Sequence, residues 1–167
     1  MLKPGDKAPT FRLPSTSGSD VSLSSLKGRK FVLYFYPKDD TPGCTREACD
    51  FQDNLARLQL EGASVFGVSK DSLESHRRFQ TKHGLGFDLL SDPENLSAKA
   101  YGAYGTKSLY GRKFLGTIRS TFVVDEKGRI AAAWSPVRVA GHVDEVIAHL
   151  RGESAPTKRT PRKKKKK

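Results

Sequence analysis

The most constraining stretch of this chain is Phe31-Val32-Leu33-Tyr34-Phe35-Tyr36, six consecutive apolar or aromatic residues closed by Pro37. A strand with one wet face alternates polar and apolar side chains, so an unbroken apolar run has to be covered on both faces. That requirement points to the interior strand of a layered α/β sheet, and the rest of the chain can supply the layers. After a loop over 38–43, apolar residues at Ala48, Phe51, Leu55 and Leu58 predict a helix that starts at Cys44 and ends at Gly62. Ala63 to Val68 reads as a second buried strand, leading through Ser69 into a polar helix from Leu73 to His83, and Phe87 to Leu90 as a third strand. A short helix is expected over Asn95 to Tyr101. Ser120 to Val124 and Arg129 to Trp134 flank Asp125-Glu126-Lys127-Gly128, a hairpin signal, and His142 to Leu150 forms a last helix. Pro4 to Ser25 is dense in turn-forming residues and predicts turns with small strands. The expectation is an α/β fold with a central mixed β-sheet flanked by helices on both faces, and no internal repeat.

At 167 residues the chain has room for one ordinary core. Its net charge of +12 would suit a nucleic-acid binder, but Pro156 to Lys167 alone holds eight basic residues and no acid. Without them 22 Lys and Arg stand against 18 acids, so the remainder is only mildly basic. A globular domain over 1–152 and a disordered lysine-rich tail over 153–167 are therefore expected. Such a tail would give weak, nonspecific nucleic-acid contact that fades with salt. No apolar run approaches a membrane span, and the first residues lack the pattern of a secretory signal, so a soluble cytoplasmic protein is expected.

The two cysteines, Cys44 and Cys49, are too few for a disulfide scaffold. Cys44 falls beyond the carboxyl end of the first buried strand, where open α/β sheets gather their binding loops, and at a helix start. There, unpaired N–H groups and the helix dipole favour a thiolate. Thr41, three residues earlier, could donate to the sulfur or to a substrate oxygen, or serve as a helix cap, and Pro37 and Pro42 restrict the loop. Residues five apart on a helix lie roughly 140° around the axis and about 8 to 9 Å apart, whereas disulfides need Cα atoms closer than about 7 Å. A bond between the two would thus require the start of the helix to unwind. Equally, Cys49 reads as a small core residue. Zinc lacks two further ligands: His76, His83, His142 and His149 show no ligand spacing, and the last two look like surface residues.

The string Tyr36-Pro37-Lys38-Asp39-Asp40-Thr41-Pro42-Gly43-Cys44-Thr45-Arg46-Glu47-Ala48-Cys49-Asp50-Phe51 closely resembles the active-site region of the bacterioferritin-comigratory, or peroxiredoxin Q, family. The similarity extends to Asp6 through Phe11, Gly67-Val68-Ser69 and Gly116 through Asp125, and covers roughly residues 3 to 150. The resemblance implies a thioredoxin-like fold and a thiol peroxidase without metal or organic cofactor. It implies Cys44 as the peroxidatic cysteine, Cys49 as the resolving cysteine, Pro37 and Thr41 as the elements around them, and Arg119 as the active-site arginine. It further implies a hydroperoxide substrate and a thioredoxin or glutaredoxin-type reductant; with both sulfurs in one chain, a monomer suffices. The rival readings are a nucleic-acid binding protein with a secondary redox domain and a general thiol-disulfide oxidoreductase that acts without peroxide.

Overall fold

In the computed structural model, residues 2–152 are described. The tail expected to be disordered, and its proposed nucleic-acid contact, lie outside them. A short antiparallel pair, β1 (Arg12–Leu13) and β2 (Val21–Ser22), and a 3-10 turn at Ser24–Leu26 precede the central strand β3 (Lys30–Phe35). Helix α1 (Pro42–Asp53), helix α2 (Leu55–Leu60), strand β4 (Ala63–Ser69), helix α3 (Leu73–His83) and strand β5 (Asp88–Ser91) complete the parallel half. There follow α4 (Leu96–Ala100), β6 (Tyr104–Leu109), β7 (Arg112–Thr117), β8 (Ser120–Val124), β9 (Ile130–Trp134) and α5 (His142–Leu150).

The main sheet runs in the order β5-β4-β3-β8-β9, with β3 parallel to β4 and antiparallel to β8. The expected mixed sheet with a continuous apolar strand at its centre is what the chain forms. Alternation along β3 feeds two cores. Val32 and Tyr34, with Tyr36 beyond the strand end, join Phe51, Leu58, Phe79 and Val146 on the face carrying α1, α2, α3 and α5. Phe31, Leu33 and Phe35 join Phe11, Leu26, Ala98, Tyr101 and Phe122 on the other. That second face is covered mainly by the N-terminal segment and the short α4, so the helical layers are unequal.

Several boundaries differ from expectation. Strand β3 stops at Phe35, one residue early, although the Tyr36 N–H still donates to the Val68 carbonyl at 3.0 Å, and the Tyr36 hydroxyl donates to Asp39. The single helix expected from 44 to 62 begins two residues sooner, at Pro42, whose missing N–H costs nothing at a helix start. It also breaks at Asn54, whose side chain donates to the Asp50 carbonyl at 2.8 Å and takes up a helix acceptor. The third strand is displaced by one residue, to Asp88–Ser91. Strands β6 and β7 form a separate two-stranded hairpin that the sequence reading did not foresee.

Candidate active site

Helix α1 starts with Thr41 in an extended conformation at the N-cap, so Cys44 occupies the third helical position. Cys44 is 2% exposed, yet it is not enclosed by apolar atoms alone. Arg119, in the short link between β7 and β8, reaches across the sheet end and places Nη2 at 3.4 Å from Cys44 Sγ. Its Nη1 donates to Glu47 Oε1 at 2.7 Å. One guanidinium therefore bridges the thiol and a carboxyl one helical turn later.

Glu47 is fully buried, and its Oε2 has no hydrogen-bond partner among the described residues. Burial pushes its pKa up to about 7, against the opposing pull of Arg119. An ion pair at 2.7 Å would by itself lower a carboxyl, so desolvation outweighs the pairing here. The Tyr34 hydroxyl, also buried and without a partner among the described residues, feels the charges of Glu47 and Cys44, and burial raises it well above the usual phenol value. Gly43 completes the arrangement: a Cβ there would lie 3.2 Å from Arg119 Nη2, close enough that the guanidinium would have to shift by a few tenths of an ångström.

Thr41 bonds neither the Cys44 sulfur nor a helix N–H. Its hydroxyl donates to the Lys38 carbonyl at 2.8 Å, bracing the loop, and it makes no side-chain cap bond. Pro37 lines a groove of about 280 Å³ together with Lys38, Lys70, Lys107, Phe114 and Leu115. Lys107 in that groove is lowered by partial burial and by Arg119, while Cys44 opposes the shift. Cys49 is half-buried on the intact α1, and both cysteines are free. Burial, then Asp53 and Asp50, raise its thiol above the ordinary value.

Glu47 and Gly43 had not been singled out in the sequence. Spacing offered a signal for Glu47, since i and i+3 share a helix face, but nothing local distinguishes it from a solvated helix charge. The reading of His142 as a surface residue is corrected. It is buried, bonds Thr121 Oγ1 through Nε2 at 2.8 Å and packs edge-on against Phe51 and Trp134. Burial, with Arg119 nearby, takes it down to about 4. His149 is partly buried against Trp134 rather than exposed. The apolar face of α5 is wider than its aliphatic residues alone suggested. No helix among the described residues is long and apolar enough to cross a membrane.

The AhpC/TSA family profile matches residues 4–133. A bcp peroxiredoxin of Coxiella burnetii is 49% identical over 149 residues, spanning 89% of this chain and 99% of the relative, and peroxiredoxin Bcp of Bacillus subtilis is 45% identical over 150 residues, spanning 90% and 96%. Among solved structures, the bacterioferritin comigratory protein of Xanthomonas campestris, studied as trapped intermediate and ligand complexes for its alkyl peroxide reduction activity, superposes with a TM-score of 0.81 at 40% identity, covering 85% of this chain and 90% of that one. With its sheet order, its thiol at a helix start and these relatives across most of its length, the chain belongs to the AhpC/TSA family and, within it, to the Bcp or peroxiredoxin Q group of thiol peroxidases.

Proposed function

We propose that Cys44 is the thiol that attacks peroxide and Cys49 the thiol that resolves the product. The observation that carries this reading is the Arg119 guanidinium, bonded at once to Cys44 Sγ and to the buried Glu47. A fixed cation and the open N–H groups of a helix start offer donors to a peroxide oxygen and to the negative charge that develops as its O–O bond breaks. The thiolate attacks the terminal oxygen of a hydroperoxide, forming an S–O bond as the O–O bond breaks. Sulfur loses two electrons and becomes sulfenic acid, and the departing alkoxide or hydroxide takes a proton to leave as alcohol or water. The Cys49 thiol gives up its proton and its sulfur displaces hydroxide from the sulfenic sulfur, giving an intramolecular disulfide, while the hydroxide takes up that proton and leaves as water. A thioredoxin or glutaredoxin-type dithiol returns both thiols to the reduced form by exchange.

Hydrogen peroxide and organic hydroperoxides both fit this chemistry, and one chain carries both sulfurs, so a monomer can complete the cycle. Pro37 and Thr41 support the reaction by shaping the loop before Cys44. Peroxide consumption coupled to thioredoxin and its reductase tests the assignment. Cys44→Ser should abolish turnover, while Cys49→Ser should consume one equivalent and gain one oxygen atom in intact mass. Full activity in Cys44→Ser would sink the reading.

A further inference from the structure

Five residues before Cys44, Asp39 is buried although it lies in a loop. Its carboxylate accepts three side-chain hydrogen bonds: Oδ1 from the Tyr36 hydroxyl at 2.6 Å, and Oδ2 from Ser75 Oγ at 2.8 Å and His76 Nδ1 at 2.7 Å. Its backbone N–H donates to Asp71 Oδ2 at 2.9 Å. His76 is buried in the first turn of α3, and its Nε2 donates to the Leu90 carbonyl at 2.8 Å on β5. Burial raises the Asp39 carboxyl, but the His76 and Tyr36 bonds more than offset it and leave it below the ordinary carboxylate value. Asp39, Asp71 and His76 also bring potential ligand atoms within 4.8 Å of one another. Both His76 nitrogens are already engaged, however, with Asp39 and with the Leu90 carbonyl, so an ion would have to displace one of these bonds.

The loop between β3 and α1 is thus tied through one side chain to α3 and, through His76, to the edge strand β5. On the other side of the cysteines, Phe51 is fully buried and stacks on Tyr34 at 4.6 Å. Between these two anchors lie residues 40–50, the stretch that holds both sulfurs. We propose that Asp39 and His76 are positioning residues that confine the unwinding of α1 to this stretch, holding the chain entering Cys44 in place so that the peroxide-reactive arrangement re-forms after each cycle. The proposal rests on the reading of Cys44 and Cys49 given above. Without the anchor, unwinding extends back toward Pro37, and the population with Cys44 against Arg119 falls. The peroxide step therefore slows while closure of the disulfide does not.

Single-turnover stopped-flow oxidation separates the two steps. The wild type is run first, because failure to oxidise Cys44 there would overturn the peroxidase reading itself and not the anchor. His76→Leu should slow the peroxide step by about tenfold or more, the loss of a charge-assisted hydrogen bond, with disulfide formation unchanged or faster. His76→Asn, whose amide can still donate to Asp39, should recover most of that loss. Ser75→Ala removes one donor to the same carboxylate at a less buried site and should shift the two rates in the same directions to a smaller extent, which keeps the test intact if His76→Leu does not fold. A purely structural role predicts lower thermal stability with the ratio of the two rates unchanged in Ser75→Ala and His76→Asn, and that result would overturn the proposal.

Discussion

At the scale of single residues, Glu47 couples the chemistry to pH. It is buried with one oxygen on Arg119 and the other without a donor among the described residues, and it sits between the two sulfurs on the turns that must unwind. Unwinding returns it to water, where its ordinary value is 4.5, against about 7 in the folded helix. A carboxyl raised in the folded state supports that state fully below pH 4.5 and loses this contribution as pH rises through about 7. The difference is on the order of 3 kcal/mol. The opening free energy of α1 in the reduced protein, from hydrogen exchange corrected for intrinsic rates, should therefore fall across that pH window. In Glu47→Gln it should stay flat there. Gly43 gives a second test at this scale. Alanine at a helical position is favoured over glycine by up to about 1 kcal/mol. The new Cβ, however, would press on a guanidinium already held by Glu47 and Cys44. Gly43→Ala should hold or raise the melting temperature while lowering kcat/KM for peroxide several-fold, a divergence that a general loss of folding would not produce.

At the scale of elements, α1 works as a hinge only if its far end stays fixed. Phe51 supplies that fixed point between Tyr34 on β3 and His142 on α5. Phe51→Ala should cost about 3–5 kcal/mol in urea unfolding, as for a large aromatic removed from a closed core. The elements that could be read from the sequence are those whose burial leaves a local pattern. The apolar run of β3, the similar run of β4 and the periodic face of α5 all appear where expected. The β6–β7 hairpin left no such pattern, because residues 108–115 are exposed on both faces and alternate nothing. Its turn, Tyr110-Gly111, has both residues at positive φ, a geometry usually signalled by asparagine or aspartate before glycine. The site divides in the same way. A cysteine at a helix start after a buried strand is a local feature, whereas Arg119 lies 75 residues from Cys44 and was identified only through the family resemblance. The Asp39–His76 anchor spans 37 residues and has no signature in either segment alone.

At the scale of the whole molecule, the thiol lies where separate parts of the chain meet. The loop after β3 contributes Pro37 and Lys38, the loop after β4 contributes Lys70, and the hairpin contributes Lys107, Phe114 and Leu115. Phe114 and Leu115 are 44% and 66% exposed, a large apolar surface for a wet hairpin, and they wall the groove that Pro37, on the loop leading to Cys44, also lines. Hydrogen peroxide at the sulfur has no hydrocarbon to lay against that wall. An organic hydroperoxide in the same position would lay its hydrocarbon against it, and each buried methylene stabilises the complex by about 0.8 kcal/mol. Replacing Phe114 and Leu115 with serine should then raise KM for a cumene-sized hydroperoxide by about tenfold, the equivalent of two such methylenes. KM for hydrogen peroxide should be unchanged, and kcat should be similar for both, because Arg119, Glu47 and the two cysteines are untouched. Steady-state kinetics with the two peroxides on one preparation make the comparison. Equal changes for both substrates would mean that the hairpin acts on the fold of the site and not on the organic group.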